Sequence, residues 1–219
     1  MPYYIDAERV SLDDLKKRIE ETDLVPSRSS LLEDVDGTFS KLKAHGFATL
    51  ADLRKALKNP KKIPALATET GIDPAYLTLL RREIESYFPK AHPVSAFDWF
   101  RKADLDNLES SGLKNTALLY DALASPGRRE ETAAALGVDP DCIDSLYALA
   151  DLTRIQWVSP TAARMLVAAG YTDAKAVAAA DPEELCSDLD RVNREHTFFK
   201  GTIGLRDVRR LVKAASYVS

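Results

Sequence analysis

Clusters of arginine and lysine are the residues of this sequence with the clearest chemistry, because together they can bind an anion such as a phosphate. The C-terminal cluster consists of Lys200, Arg206, Arg209, Arg210 and Lys213. Helical spacing would place three of these cations on one face and apolar residues on another. The sequence thus predicts either a contact surface for a polyanion or the ordinary solvated face of a helix.

A second basic patch lies in the first half of the chain. It consists of Arg54, Lys55, Lys58, Lys61 and Lys62. Contact with a polyanion would release counterions here as well. The alternative is the solvated side of a short helix whose residues Leu53 and Leu57 point inward, and we interpret this patch as the weaker of the two.

Both tryptophans occupy matching positions in two related segments. Trp99 is followed two residues later by Arg101, and Trp157 is followed two residues later by Ser159. An exposed tryptophan can stack on a nucleobase or anchor a protein partner. The alternative, which we favour, is that each indole fills a gap in the core.

Catalytic and metal-binding patterns are not found in the sequence. It contains no phosphate-binding loop, nucleophile elbow or dinucleotide fingerprint. The three histidines and two cysteines lack the spacing of a zinc site; they are His45, His92, His196, Cys142 and Cys186. We therefore predict no catalytic residue, no metal and no cofactor, although acids that converge in space could still form a site.

An internal repeat organises the helices that must position these residues. Leu42 and Gly46 recur as Leu108 and Gly112, and in the same register the string Gly-apolar-Asp-Pro at residue 71 recurs at residue 137. A third, divergent copy carries Leu166 and Gly170. Glycine can end a helix in a left-handed conformation, and Asp followed by Pro begins the next helix. Because no strand pattern occurs, we predict an all-α fold of tandem units in two lobes.

Proline positions and the repeat suggest boundaries. We predict an N-terminal helical arm over residues 1–28, with a helix that begins near Ser11, and a first unit over 29–88. Two prolines mark a linker over 89–93, because proline interrupts a continuous helix. A second unit follows over 94–154, and a third unit over 155–219 packs with it.

The segment from Leu152 to Tyr171 resembles a helix-hairpin-helix motif, in which apolar-x-Gly-apolar-Gly precedes a helix that ends in Leu-x-x-x-Gly-apolar. The wider pattern, including residues 192–201 and the last helix, is similar to the uncharacterised bacterial domain-of-unknown-function family 4332. This resemblance covers about residues 31–218 and is strongest from Phe97 onward. It implies a helix-hairpin-helix-like (SAM-like) fold and a bacterial source, but no activity.

The hairpins of this chain depart from the nucleic-acid-binding form, in which two glycines let backbone amides approach a phosphate. Trp157 and Ser159 replace them in the third unit, and Trp99 and Arg101 in the second. Asp34 and Asp36 stand there in the first unit. Bulk or negative charge at these positions disfavours phosphate binding through the hairpins.

Composition agrees with a soluble cytoplasmic protein. The formal net charge is −4, and the two cysteines are too few for a disulfide framework. The N-terminus lacks the pattern of a signal peptide, and no apolar run is long enough to cross a membrane.

We predict a non-catalytic interaction module or scaffold with a protein partner. The alternative is an accessory protein that binds DNA or RNA through the degenerate hairpins and the C-terminal cations.

Overall fold

Two compact units make up the computed structural model, which describes residues 2–219. From here on, the first unit is residues 6–88, and the second unit combines residues 2–5 with residues 89–219. The second unit of the structure therefore contains both the second and the third unit predicted from the sequence. The described residues form thirteen α-helices and three short 3₁₀ helices, without a β-strand. The predicted all-α class is therefore confirmed. Among residues 2–219, every helix is too short or too polar to cross a lipid bilayer.

The first unit contains five α-helices and two 3₁₀ helices. In chain order these are α1 (Leu12–Glu21), a 3₁₀ helix (Pro26–Leu32), α2 (Val35–Ala44), α3 (Leu50–Leu57), a 3₁₀ helix (Pro60–Lys62), α4 (Ile63–Thr70) and α5 (Pro74–Ser86). Helices α3 and α4 both pack against α5. The core is formed mainly by leucines on these helices, including Leu53, Leu57, Leu77 and Leu80.

The second unit contains the other eight α-helices. After a 3₁₀ helix (Val94–Ala96) come α6 (Lys102–Ser110), α7 (Thr116–Ala122), α8 (Pro126–Leu136), α9 (Pro140–Leu152), α10 (Pro160–Ala168), α11 (Ala174–Ala179), α12 (Pro182–His196) and α13 (Leu205–Ala215). Helices α7, α8 and α10 pack against α9, and α11 and α12 pack against α13. The buried side chains form one continuous core, to which Tyr3 contributes.

Local sequence signals account for the helix ends. The capping boxes at Ser11 and Thr49 are present, each closed by an aspartate three residues later. Asp73 and Asp139 cap α5 and α9 before a proline, as predicted. Three turns require a positive φ, which glycine adopts without strain: Gly46 (96°), Gly112 (96°) and Gly170 (97°).

A buried arginine, Arg154, holds together distant parts of the second unit. Its guanidinium donates to the carbonyl of Tyr3 (3.0 Å), the hydroxyl of Tyr120 (2.7 Å) and the carbonyl of Val218 (2.7 Å). It also forms an ion pair with Asp151, whose second carboxylate oxygen accepts from the amide of Ala174 (2.8 Å). We call these residues the Arg154 network.

The side chain of Tyr3 fixes the N-terminal segment to the same unit. Its hydroxyl lies 3.0 Å from the hydroxyl of Thr116 and 3.2 Å from that of Thr153. Its ring, which is 2% exposed, meets Tyr120 edge to face at 6.0 Å. Residues 2–5 are therefore a packed part of the second unit, although the whole of the other unit follows them in the chain.

Candidate functional site

The C-terminal cations lie on or just before α13, and most of them are engaged within the chain. Arg209 forms an ion pair with Glu183 (2.5 Å), and Arg210 lies 4.7 Å above the ring of Trp157. Lys213 lies 5.4 Å from the ring of Tyr217. Lys200 and Arg206 are exposed. Four of the five predicted cations thus lie on α13, but the helix does not present them as one unoccupied patch.

The two tryptophans differ in their surroundings. Trp99 is partly buried and packs against the core, with Phe97 at 5.5 Å and the guanidinium of Arg164 at 4.6 Å. Trp157 is 47% exposed and has a left-handed backbone, with φ of 71°. The interpretation that the indole fills the core therefore fits Trp99, whereas Trp157 is exposed and has a backbone conformation that glycine adopts without strain.

The residues that follow the tryptophans begin the next helices. Arg101 precedes α6 and pairs with the buried carboxylate of Asp104 through two contacts of 3.0 and 2.6 Å. The hydroxyl of Ser159 accepts from the amide of Ala162 (3.2 Å) and thereby caps α10. Ser159 thus occupies an amide at the start of α10 that a phosphate could otherwise contact, whereas Arg101 is paired with a carboxylate of its own helix.

Trp157→Gly is expected to give a more stable protein than Trp157→Ala, by about 1 kcal/mol, because a left-handed backbone is costly for any residue with a Cβ atom. Urea unfolding followed by circular dichroism measures the difference. Trp99 provides the matched control because its φ is not positive. There, glycine should be no better than alanine. Equal stability of the two Trp157 variants would contradict the strain that we infer.

The five residues of the basic patch in the first unit lie in two separate places. Arg54, Lys55 and Lys58 line a groove of about 540 Å³, while Lys61 and Lys62 lie outside it on the following 3₁₀ helix. Arg81 and Glu85 of α5 complete the groove together with Ala7 and Ala51. No sequence pattern singled out Arg81, because its position beside the lysines depends on the packing of α3 against α5.

A second groove, of about 250 Å³, lies beside α6 in the second unit and was not predicted. We call it the α6 groove; it is lined by Ser95, Asp98, Phe100, Lys102, Leu105, Asp106 and Glu109. Phe100 is only partly buried and supplies apolar surface there, whereas Leu105 is almost fully buried. Lys102 pairs with Asp106 (2.7 Å), which leaves two further carboxylates at the groove. The helical spacing of residues 102, 105, 106 and 109 was the only sequence signal.

Groups suited to metal binding or nucleophilic chemistry are scarce in the described part of the chain. Within residues 2–219, no three His, Cys, Asp or Glu side chains are grouped so that they could hold a metal ion. Burial, followed by the charges of Asp104 and Asp139, raises the pKa of Cys142 to about 11. Its thiol is therefore protonated at neutral pH and is a poor nucleophile.

Comparison with known proteins identifies one family. Residues 100–217 match the model of the Domain of unknown function (DUF4332). The searches of curated proteins and of solved structures give no match. The matched segment begins just before α6, ends just after α13 and covers more than half of the 219 residues, so the chain belongs to this family.

Proposed function

We propose that the protein is a non-catalytic interaction module that binds a protein segment in the α6 groove. The segment would place an apolar side chain against Phe100 and Leu105, with lysine or arginine beside it. The two free cysteines, Cys142 and Cys186, favour the reducing cytoplasm as the location of this module.

The helix bounds support a module of tandem helix-hairpin-helix-like (SAM-like) units. Helix α5 (Pro74–Ser86) and α9 (Pro140–Leu152) have the same length and begin at matching positions of the first and second copies of the repeat. Helix α6 (Lys102–Ser110) and α10 (Pro160–Ala168) likewise have the same length and begin at matching positions of the second and third copies. We infer that one helical hairpin was repeated and that its glycine pair was replaced. Replacement of the glycines favours a protein partner over a phosphate backbone.

The unbalanced negative charge of the α6 groove is the observation that carries this proposal. The charges of Lys102 and Asp106 offset each other, while Asp98 and Glu109 form no ion pair among the described residues. An apolar contact with a neighbouring negative potential selects an apolar side chain flanked by cations. The apolar contact supplies affinity, and the carboxylates supply specificity.

Selection from a random peptide library on the intact protein tests this proposal. We expect the enriched peptides to share an aromatic or leucine residue next to lysine or arginine. Asp98→Asn combined with Glu109→Gln should weaken their binding about tenfold, because two charge-assisted contacts are lost. The peptide affinity measured by fluorescence anisotropy should also fall as the salt concentration rises.

The matched control is Glu130→Gln combined with Glu131→Gln, which removes two exposed acids of α8 outside the groove. This control should bind the peptides as the unchanged protein does. Enriched peptides without basic residues, or an equal loss of binding in both double variants, would overturn the proposal.

Nucleic-acid binding is the second candidate, and it rests on the exposed cations Lys200 and Arg206 near the C-terminus. Its support is weaker, because Arg209 pairs with Glu183 and Arg210 stacks on Trp157. Retention of duplex DNA at low salt, followed by loss of retention in Lys200→Glu combined with Arg206→Glu, would favour it over the peptide site.

A further inference from the structure

The groove between α3 and α5 of the first unit concentrates positive charge. Three cations of α3 and the residue after it, namely Arg54, Lys55 and Lys58, face Arg81 and Glu85 of α5. The small side chains of Ala7 and Ala51 also line this groove and leave room within it. We call it the basic groove.

Arg54 is held in place within the basic groove. Its guanidinium donates to both carboxylate oxygens of Glu85, at 3.0 and 3.2 Å, and its central carbon lies 3.6 Å from the centre of the Phe88 ring. A guanidinium that is paired and stacked in this way loses little further freedom on binding. Arg54 is therefore a positioned cation whose charge is offset by Glu85.

The other three cations of the groove differ from Arg54 in having no carboxylate of the described chain within ion-pair distance. Among the described residues, Lys55, Lys58 and Arg81 form no ion pair. The Nε of Arg81 is buried and has no hydrogen-bond partner within the described chain. Buried N–H groups are normally paired, so Arg81 lacks the hydrogen bond that would otherwise offset the burial of this group.

This positive charge is local to the groove and does not extend over the unit. Residues 6–88 contain fourteen basic and fifteen acidic residues. A surface that binds nucleic acid needs cations spread along the polymer, whereas here they converge on one groove. A volume of about 540 Å³ lies within the usual size of a site for a small ligand.

We propose that the basic groove binds a small polyanion that carries two or more linked phosphates. Lys55, Lys58 and Arg81 bind the phosphate oxygens, and Arg54, fixed by Glu85, borders the same site. The convergence of three unpaired cations matches the charge of a di- or triphosphate group. This site lies in the first unit and is independent of the peptide site that we propose beside α6.

Isothermal titration calorimetry of the intact protein with inorganic diphosphate tests this inference. Diphosphate should bind more tightly than inorganic monophosphate. Lys58→Gln combined with Arg81→Gln should weaken diphosphate binding by about tenfold or more, because two charge-assisted contacts are lost. The conservative pair Lys58→Arg and Arg81→Lys should retain most of the affinity, which separates loss of charge from loss of folding.

Lys61→Gln combined with Arg82→Gln is the matched control. It removes the same two charges from exposed positions that do not line the groove, and it should change the affinity by no more than about twofold. Failure of diphosphate to bind the unchanged protein at low salt would overturn the inference. So would an equal loss in the control, or displacement of diphosphate by a short DNA duplex that binds more tightly.

Discussion

Replacement of Arg154 by methionine is expected to lower the free energy of unfolding of the second unit by about 3–5 kcal/mol. The change leaves the buried carboxylate of Asp151 without its cation and removes the donors to the carbonyls of Tyr3 and Val218. Trp99 and Trp157 are the two tryptophans of the chain, and both lie in this unit. Urea unfolding followed by tryptophan fluorescence therefore reports on the unit directly.

A comparison of two further variants shows whether the buried charge is the cause. Arg191→Met removes an exposed cation of α12 that pairs with Asp188 and Glu195 at 3.3 and 3.7 Å, and it should cost no more than about 0.5 kcal/mol. Adding Asp151→Asn to Arg154→Met should recover part of the loss, because the amide oxygen can still accept from Ala174. A loss below about 1 kcal/mol for Arg154→Met would contradict our account of the network.

The second large effect is expected at Tyr3. Tyr3→Ala should destabilise the second unit by about 3–5 kcal/mol, the usual cost of deleting a buried aromatic ring. Tyr3→Phe keeps the ring and loses only the hydroxyl contacts with Thr116 and Thr153, so it should cost about 1 kcal/mol. The same fluorescence measurement in urea gives both values.

Tyr4 is the matched control for Tyr3, because it is the next residue and is 40% exposed. Tyr4→Ala should change the free energy of unfolding by about 1 kcal/mol or less, because the only ring that its exposed ring meets among the described residues is Tyr3, edge to face at 4.9 Å. If Tyr3→Ala were as mild as Tyr4→Ala, residues 2–5 would not be the packed part of the second unit that we describe.

Local structure could be predicted well from this sequence. A cap acts within a few residues, so Ser11, Thr49 and the Asp-Pro pairs indicate where helices begin without knowledge of the tertiary fold. The glycines of the repeat indicate helix ends for the same reason. The all-α class follows from these signals together with the helical spacing of apolar residues.

Contacts between distant residues could not be predicted in this way. The partners of Arg154 include Tyr120 and, much further away in the chain, Tyr3, and no local pattern links them. The basic groove likewise needs Arg81 beside Lys58, which depends on how α5 packs against α3. The sequence indicated the cations, but only tertiary packing determines which of them stay unpaired.

The position of Tyr3 in the second unit also has a consequence for synthesis on the ribosome. Tyr3 is synthesised well before Thr153 and Arg154, so its contacts with them require a part of the chain made roughly 10–30 s later, at the usual rate of translation. Residues 6–88 can complete their own core during this interval. Because Arg154 also donates to the carbonyl of Val218, the Arg154 network is complete only after residue 218 has been made and has emerged as well.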